Sequence, residues 1–356
     1  MLLLGFLAGG GAALDFYRFL QRPLPAAVVL EIERGWPLAR IAETLAQQGV
    51  VSDAHWFILL TRWRRLRLSP DGITQGPGIQ AGEYAFAVGE TPAVLLTRLI
   101  AGDQVVHRLV VPEGVTVAEI GTRMHALGWR GVEELLADPE MPKKLGVPQA
   151  RTLEGWLFPS TYHYRRQDTA QEMLARMVKQ AQQVLNEQWQ LALQGENPSP
   201  VRTLGWTPVD VLILASVIEK ETGHASERAR ISAVFHNRLH KKMRLQSDPT
   251  VIYGILQGAG GATYDGNLTK KHLKEPTPYN TYTRLGLPPT PICNPGKAAI
   301  QAALHPEQVE DLYFVARGEG LHAFSKTLAE HEANVDRYQR HPSARAGGRA
   351  DPGSAR

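Results

Sequence analysis

The stretch "TPVDVLILASVIEKETGHASE", from Thr207 to Glu227, predicts the central helix of the fold. Thr207 suits the N-cap, Pro208 suits the first helical position, and Asp210 is favourable at the positive end of the helix dipole. The run "VLILASVI" that follows is apolar on nearly every face. We therefore expect this helix to be buried on all sides.

Two glutamates, Glu219 and Glu221, follow the apolar run shortly before Gly223. Burial disfavours the charged form of a carboxyl, and the negative end of the helix dipole acts in the same direction, so a raised pKa is expected. A carboxyl that stays protonated near neutral pH can serve as a general acid. The alternative is a solvated helix end, with both glutamates paired to surface cations. The helix pattern alone favours that alternative, and it slightly favours Glu219 over Glu221 as the acid.

A second helix is predicted directly after the first, from Ser226 as N-cap to about His240. Glu227 would then lie in its first turn, where the helix dipole favours a carboxylate. His236 and His240 have the i, i+4 spacing that can hold a metal ion. A zinc protease would require Glu directly after the first histidine, and Asn237 stands there. We therefore expect no metal site.

Two segments nearer the N-terminus resemble each other, Val28 to Val50 and Val106 to Trp129. Each combines a period-two strand pattern, a turn glycine (Gly35 or Gly114), a helix with period 3.6, and a glycine suited to the helix C-cap. The spacing between the two glycines is the same in both. We interpret the segments as two related small α+β units.

Changes in composition divide the chain into five parts, and the predicted fold class is α+β. The parts are a partial N-terminal membrane anchor (1–20), a small α+β unit with a linker (21–79), a second α+β unit (80–150), a mixed, helix-rich domain (151–340) and a tail low in apolar residues that we expect to be disordered (341–356). The chain carries no charge from Met1 to Leu14, which is shorter than the roughly 17 residues that a spanning helix needs. An anchor that begins upstream of Met1 is one interpretation, and a signal-peptide core is another.

Charge and composition exclude few functions. The formal net charge is +4 and the pI about 9.1, which fits an anionic partner such as cell-wall polymer, lipid headgroups or nucleic acid. The single cysteine, Cys293, excludes an intrachain disulfide and a cysteine-based metal cluster. The glycine-rich "LQGAGGAT" (256–263) lacks the Lys-Ser/Thr of a phosphate-binding loop. A flexible loop is the better interpretation of that segment.

Two later segments concentrate Asp, Asn, Thr, Tyr and Pro without helical periodicity, "SDPTVIYG" (247–254) and "TPYNTYTRLGLPPTPICNPG" (277–296). Amides and hydroxyls bond sugar hydroxyls, and tyrosine rings cover the apolar faces of sugars. These segments therefore favour a glycan-binding cleft, with a long structured loop as the alternative.

Four motifs together resemble the endolytic murein transglycosylase family (YceG-like). They are "LEGWLFPSTYHY" (153–164), "ASVIEKETGHASERARISAVFHNRL" (215–239), "MRLQSDPTVIYG" (243–254) and the segment 277–296 quoted above. The resemblance implies a bacterial inner-membrane protein with one N-terminal anchor, and a LysM-like module and a lytic transglycosylase domain on the periplasmic side. It assigns the LysM-like module to 80–150 and the catalytic role to Glu219. The chain departs from the family at Ser160, where Asp is common, and at Thr290, where Gly is usual.

The resemblance implies cleavage between N-acetylmuramic acid and N-acetylglucosamine of peptidoglycan, with 1,6-anhydro ends and no cofactor. We expect the glycan to contact Gln246, Asp248, Tyr253, Asn280, Tyr282 and Glu154. We expect Glu221, Asn237 and Arg238 to support the site from behind. The membrane and the peptidoglycan synthesis machinery are the further expected partners.

Three alternatives remain open at this point. A hydrolysing glycosidase would use a second carboxylate, for which Glu221, Glu154 and Asp248 are the candidates. A non-catalytic wall-binding protein would use two LysM-like units. A nucleic-acid-binding protein is disfavoured because the basic charge is scattered along the chain.

Overall fold

The computed structural model describes residues 2–68, 78–194, 204–257 and 264–340. The α-helices are α1 Leu2–Gln21, α2 Leu38–Gln47, α3 Ala54–Leu68, α4 Pro92–Ala101, α5 Val117–Ala126, α6 Val132–Ala137, α7 Met141–Lys144, α8 Ala170–Gln194, α9 Pro208–Glu221, α10 Arg228–His240, α11 Asp248–Leu256, α12 Lys270–Lys274, α13 Lys297–Leu304 and α14 Leu328–Val335. The strands are β1 Val28–Ile32, β2 Gly82–Phe86, β3 His107–Val111, β4 Ser160–Tyr164, β5 Tyr313–Gly318 and β6 Leu321–Ser325. The predicted tail (341–356) lies outside the described residues.

The strands form small two-stranded sheets in the order β1-β2, β3-β4 and β5-β6, and the other regular elements are helices. This arrangement confirms the predicted α+β class. The chain divides into two compact units, one formed by Met1–Arg108 and His163–Asp168, the other by Leu109–Tyr162 and Thr169–Arg356. The assignment of 80–150 as a LysM-like module stays a prediction.

The first unit is built around one strand–helix pair. β1 pairs antiparallel with β2, so that Val28 lies opposite Phe86 and Ile32 opposite Gly82. The amphipathic helix α2 buries Ile41 and Leu45 in the core of this unit. Gly35 takes a φ of +83° between β1 and α2, a left-handed conformation that favours glycine. The predicted strand, turn glycine and helix are confirmed here.

The N-terminal helix α1 covers the predicted anchor segment and extends to Gln21. Among the residues that the structure describes, none of the helices is long and apolar enough to span a membrane.

The second strand–helix copy also forms, as β3 and α5. Gly114 has a φ of +76° at the turn, and Thr116 caps α5 in a reciprocal capping box with Glu119. The capping box fixes the point at which the turn ends and the helix begins.

Helix α9 forms the centre of the second unit, as its sequence predicts. Thr207 and Asp210 form a capping box at its start, and Pro208 occupies the first turn. Every residue from Val211 to Ile218 is buried. The helix packs against α8, α10, α11 and α13, which explains why no face of the run is polar.

The predicted N-cap of the second tandem helix, Ser226, is wrong by one residue, because the N-cap is Glu227. Residues 225–227 form a 3₁₀ turn, and α10 begins at Arg228, so Ser226 does not cap it. The Glu227 carboxylate instead accepts hydrogen bonds from the backbone N–H of His322 (3.0 Å) and from its ring (2.8 Å). This long-range contact binds the carboxylate that local rules place in the first helical turn.

The segment 247–254, whose sequence lacks helical periodicity, is helical from Asp248. Helix α11 begins after Ser247 with Pro249 in its first turn, which are ordinary start signals. The buried residues of this nine-residue helix are Thr250, Val251, Tyr253 and Gly254. They mix polar and apolar types, so the sequence shows no stripe of helical period. Beyond this segment the chain forms β5, β6 and α14.

Candidate active site

Glu219 lies in the last turn of α9 with its side chain only 6% exposed. One carboxylate oxygen accepts a hydrogen bond from the backbone N–H of Gly296 at 2.9 Å. Gly296 is the N-cap residue of α13, so this N–H belongs to the positive end of a helix dipole. The other oxygen lies 3.4 Å from Nη2 of Arg228. The carboxyl is therefore buried beside donors that can stabilise its charged form.

The pKa of Glu219 is raised above its ordinary value, chiefly because burial removes water from the carboxyl. The neighbouring charge of Glu113 raises it further, whereas the Gly296 N–H and the Arg228 guanidinium act in the opposite direction. Burial prevails over the donors, so the pKa stays above its ordinary value. A solvated helix end, the alternative left open by the helix pattern, does not describe this carboxyl.

Glu113 and Arg228 complete this cluster, and sequence reasoning missed both. Nη2 of Arg228 lies 3.9 Å from the Glu113 carboxylate, compared with 3.4 Å from Glu219. Glu113 directly precedes the turn glycine Gly114, at the position where the first strand–helix copy has Arg34. That difference between two otherwise similar turns was the available signal for Glu113.

Glu221 points to a different environment, although it is two residues from Glu219. Its carboxylate accepts a short hydrogen bond from the hydroxyl of Ser247. Burial raises the pKa of Glu221 to about 7, with a further rise from Asp248, while Ser247 and Arg238 oppose the change. The two glutamates therefore belong to separate clusters.

Glu154, a predicted glycan contact, is 4% exposed and lies in a nest of neutral donors. It accepts hydrogen bonds from the Val117 backbone N–H (3.1 Å), the Tyr253 hydroxyl (3.1 Å) and the Asn294 amide (3.3 Å). Burial raises its pKa to about 7 despite these donors. Glu154 and Tyr253 also line a cavity of about 460 Å³ together with Gln257.

Asp248 and Tyr282 are brought together across the two polar segments. The Tyr282 hydroxyl donates to the Asp248 carboxylate at 2.6 Å, which joins the start of α11 to the segment 277–296. Asn280 is fully buried, and its amide nitrogen donates to the carbonyls of His272, Leu273 and Glu275. Its amide is therefore used in shaping the loop.

The predicted supporting residues Asn237 and Arg238 hold backbone segments in place. Asn237 donates to the carbonyls of Val309 and Asp311 at 2.8 and 2.9 Å. Arg238 donates to the carbonyls of Leu312 and Leu245 and to the side chain of Gln246. The two residues thus join α10 to residues 245–246 and 309–312.

Two further features of this unit lie apart from Glu219. His236 is buried, with Nε2 2.9 Å from the carbonyl oxygen of Ala303. A cavity of about 580 Å³ is lined by Trp156, Thr207 and Asp210 at the opposite end of α9. The Asp210 carboxylate is used there in the capping box.

The YceG-like family model matches residues 30–337. The chain belongs to the YceG-like family.

Two curated YceG-like relatives carry the name endolytic murein transglycosylase. The one from Bacillus subtilis (strain 168) is 30% identical over 337 residues, which cover 90% of this chain and 87% of the relative. The one from Streptococcus pneumoniae serotype 2 (strain D39) is 26% identical over 349 residues, covering 86% of this chain and 58% of the relative. The chain thus spans little more than half the length of the pneumococcal protein.

A solved YceG-like structure agrees with the fold. The crystal structure of a yceG-like protein from Listeria monocytogenes shares a TM-score of 0.55 and 28% identity with this chain, covering 86% of this chain and 98% of the other.

Proposed function

We propose that this protein is an endolytic lytic transglycosylase of peptidoglycan. It cuts the bond between N-acetylmuramic acid and N-acetylglucosamine in nascent glycan strands and leaves 1,6-anhydro-N-acetylmuramic acid ends. The observation that carries the proposal is the Glu219 carboxyl, which is 6% exposed, raised in pKa and bordered by a backbone N–H and a guanidinium. The names of the curated relatives support the substrate class.

The proposed reaction uses one carboxyl twice. Protonated Glu219 donates its proton to the glycosidic oxygen as the bond to C1 of muramic acid breaks with oxocarbenium character. The resulting carboxylate then takes the proton of the C6 hydroxyl, whose oxygen forms the new bond to C1. The proton returns to Glu219, no water is consumed, and the activity is that of a lyase. The Gly296 N–H, at 2.9 Å, and Arg228, at 3.4 Å, favour the transient carboxylate.

We propose that the glycan contacts the polar groups placed around the segments 247–254 and 277–296. Asp248 and Tyr282 form one pair, and Glu154 and Tyr253 form another beside the cavity of about 460 Å³. Asn280 acts by holding the shape of this loop, because its amide is engaged by three carbonyls.

The proposal extends to location and partners. It places the protein at the bacterial inner membrane with the catalytic part in the periplasm, and 80–150 as a LysM-like module. Strand cleavage there would end the elongation of new glycan, which makes the peptidoglycan synthesis machinery the expected protein partner.

Mass spectrometry of purified glycan strands tests the reaction. The wild type is expected to give anhydromuramic ends, and Glu219→Gln is expected to leave the strands intact. Products with reducing ends would establish a hydrolysing glycosidase instead. Strands left uncut by both proteins, or cut equally by both, would overturn the assignment; uncut strands together with retained binding would favour a wall-binding protein.

A further inference from the structure

The turn between β3 and α5 lies beside Glu219, fixed by backbone hydrogen bonds. The N–H of Gly114 donates to the Asn294 carbonyl at 2.9 Å, and the N–H of Asn294 donates to the Val115 carbonyl at 2.9 Å. Lys220 adds a hydrogen bond from its ammonium group to the Gly114 carbonyl at 3.3 Å. The position of the turn relative to the end of α9 is therefore determined on two sides.

This turn places Glu113 against Gly296, the residue whose N–H donates to Glu219. The Glu113 carboxylate packs against the α-carbon of Gly296 so closely that a side chain at that position would collide with it. The N–H of the same Gly296 donates to Glu219. Glu113 remains 50% exposed, so it faces the open side of the cluster while Glu219 is enclosed.

Arg228 lies between the two carboxylates without a close bond to either. The same nitrogen, Nη2, is 3.4 Å from Glu219 and 3.9 Å from Glu113. The side chain is 13% exposed, and its buried Nε has no hydrogen-bond partner among the described residues. A tight Arg–carboxylate pair makes two parallel bonds of 2.7 to 2.9 Å in typical structures. The guanidinium is therefore shared between the two carboxylates.

We propose that Glu113 is a positioning residue that holds Arg228 away from a closed ion pair with Glu219, so that Glu219 carries its proton when the glycan binds. This inference rests on the proposed function, because it concerns the same acid. When Glu219 gives up its proton, its new charge competes with Glu113 for the guanidinium. Arg228 can then support the carboxylate that later removes the C6 proton.

The other charged or titratable groups near Glu219 do not take this role. Lys220 directs its ammonium group to the Gly114 carbonyl. The thiol of Cys293 is buried, which raises its pKa and keeps it neutral. Glu113 and Arg228 are thus the charged groups that act on Glu219 from neighbouring elements.

The pH dependence of kcat separates this role from a structural one. Activity requires protonated Glu219, so it falls as pH rises through the pKa of Glu219. This fall is the alkaline limb of the pH profile of kcat. Glu113→Gln removes a negative neighbour and releases Arg228 to Glu219, so the alkaline limb is expected to move to lower pH. At about pH 8, kcat is expected to fall by roughly three- to tenfold, with KM changed by less than about twofold.

Arg228→Gln removes the positive neighbour, so the alkaline limb is expected to move to higher pH, opposite to Glu113→Gln. Glu113→Asp keeps the charge and is expected to return the limb most of the way to that of the wild type. Glu140→Gln, at an exposed carboxyl with only a 4.0 Å contact to Lys143, is the matched control for the loss of one charge. The full chain is used throughout, and thermal unfolding establishes that each variant folds.

The outcomes distinguish the two proposals. A wild type that forms no anhydro ends overturns the proposed function. A wild type that cuts, with Glu113→Gln giving the same alkaline limb as Glu140→Gln, overturns the role of Glu113 alone. A change confined to KM also overturns it, since Glu113 would then bind the glycan directly. If Glu113→Gln fails to fold, Glu113→Asp and Arg228→Gln test the role of Glu113 in its place. An alkaline limb that does not move in Arg228→Gln would contradict the sharing of the guanidinium between the two carboxylates.

Discussion

One short segment, Asn294 to Gly296, donates hydrogen bonds to two buried carboxyls, Glu154 and Glu219, whose surroundings differ. Asn294 donates its side-chain amide to Glu154, and the backbone N–H of Gly296 donates to Glu219. Burial raises the pKa of both carboxyls. The other partners of Glu154 are a backbone N–H and a tyrosine hydroxyl, all neutral, whereas Glu219 also has a guanidinium at 3.4 Å.

The difference shows why burial alone does not make a carboxyl a working acid. A general acid has to be protonated at first and then stable as an anion. Among the described residues, the hydrogen-bond partners of Glu154 include no cation to balance the anion. The surroundings of Glu219 supply a cation and the N–H of the α13 N-cap residue, so its charged form finds partners.

The largest expected effect is on activity. Glu219→Gln removes the proposed proton donor, and we expect kcat to fall by roughly 10³-fold, within the range attributed to general acid–base catalysis. Glu154→Gln keeps the shape and the hydrogen-bonding oxygen, and we expect kcat to stay within about tenfold of the wild type. Release of anhydromuropeptides from purified glycan strands measures both. Equal losses in the two variants would remove the distinction between the carboxyls.

The next effect is on stability. The side chain of Asn294 donates to the Val115 carbonyl and to Glu154 and accepts from the Leu157 N–H, all inside the protein. Asn294→Ala leaves these groups unpaired, so we expect the free energy of unfolding in urea to fall by about 3 kcal/mol.

Asn267→Ala is the control for the loss of an amide side chain, because Asn267 is exposed. We expect it to change the free energy of unfolding by less than about 0.5 kcal/mol. Similar losses in the two variants would mean that the nest around Glu154 contributes little.

The pH dependence of stability gives a third test. The pKa of Glu154 rises from an ordinary 4.5 to about 7 on folding, so the folded protein binds this proton more tightly than the unfolded chain. The stabilisation of the folded state by this proton is complete below about pH 4.5 and is lost as pH rises through about 7. Glu154→Gln is therefore expected to flatten the fall in stability over this window, by up to about 3 kcal/mol. Parallel curves of unfolding free energy against pH for the two proteins would contradict the raised pKa.

The smallest effect concerns one hydrogen bond in the nest. Tyr253→Phe removes the hydroxyl that donates to Glu154 at 3.1 Å. We expect the free energy of unfolding to fall by about 1 kcal/mol at pH 5 and by more at pH 8, because a charged acceptor left without its donor costs more than a neutral one. Thermal unfolding at both pH values measures the difference. A loss that does not depend on pH would show that Glu154 keeps one protonation state throughout.

Much of the local structure follows from the sequence alone. The capping residues of α9 and its apolar run predict a buried helix with the correct start, and the two strand–helix copies form with their turn glycines at positive φ. These signals act between residues close together along the chain, where backbone sterics and capping decide the outcome. The quoted motifs also indicate the family that the family model confirms.

Only the tertiary structure decides which side chains surround Glu219. The donor at Gly296 is 77 residues from Glu219 along the chain. Lys220 and Gly114, which it contacts in the neighbouring turn, are 106 residues apart. Glu227 illustrates the same limit, since a contact with His322 binds the carboxylate that local rules assign to a helix start. The sequence alone determined that a carboxyl ends a buried helix. Packing between distant segments decides whether that carboxyl is buried away from water and which charged groups interact with it, because desolvation and Coulomb interactions act through space.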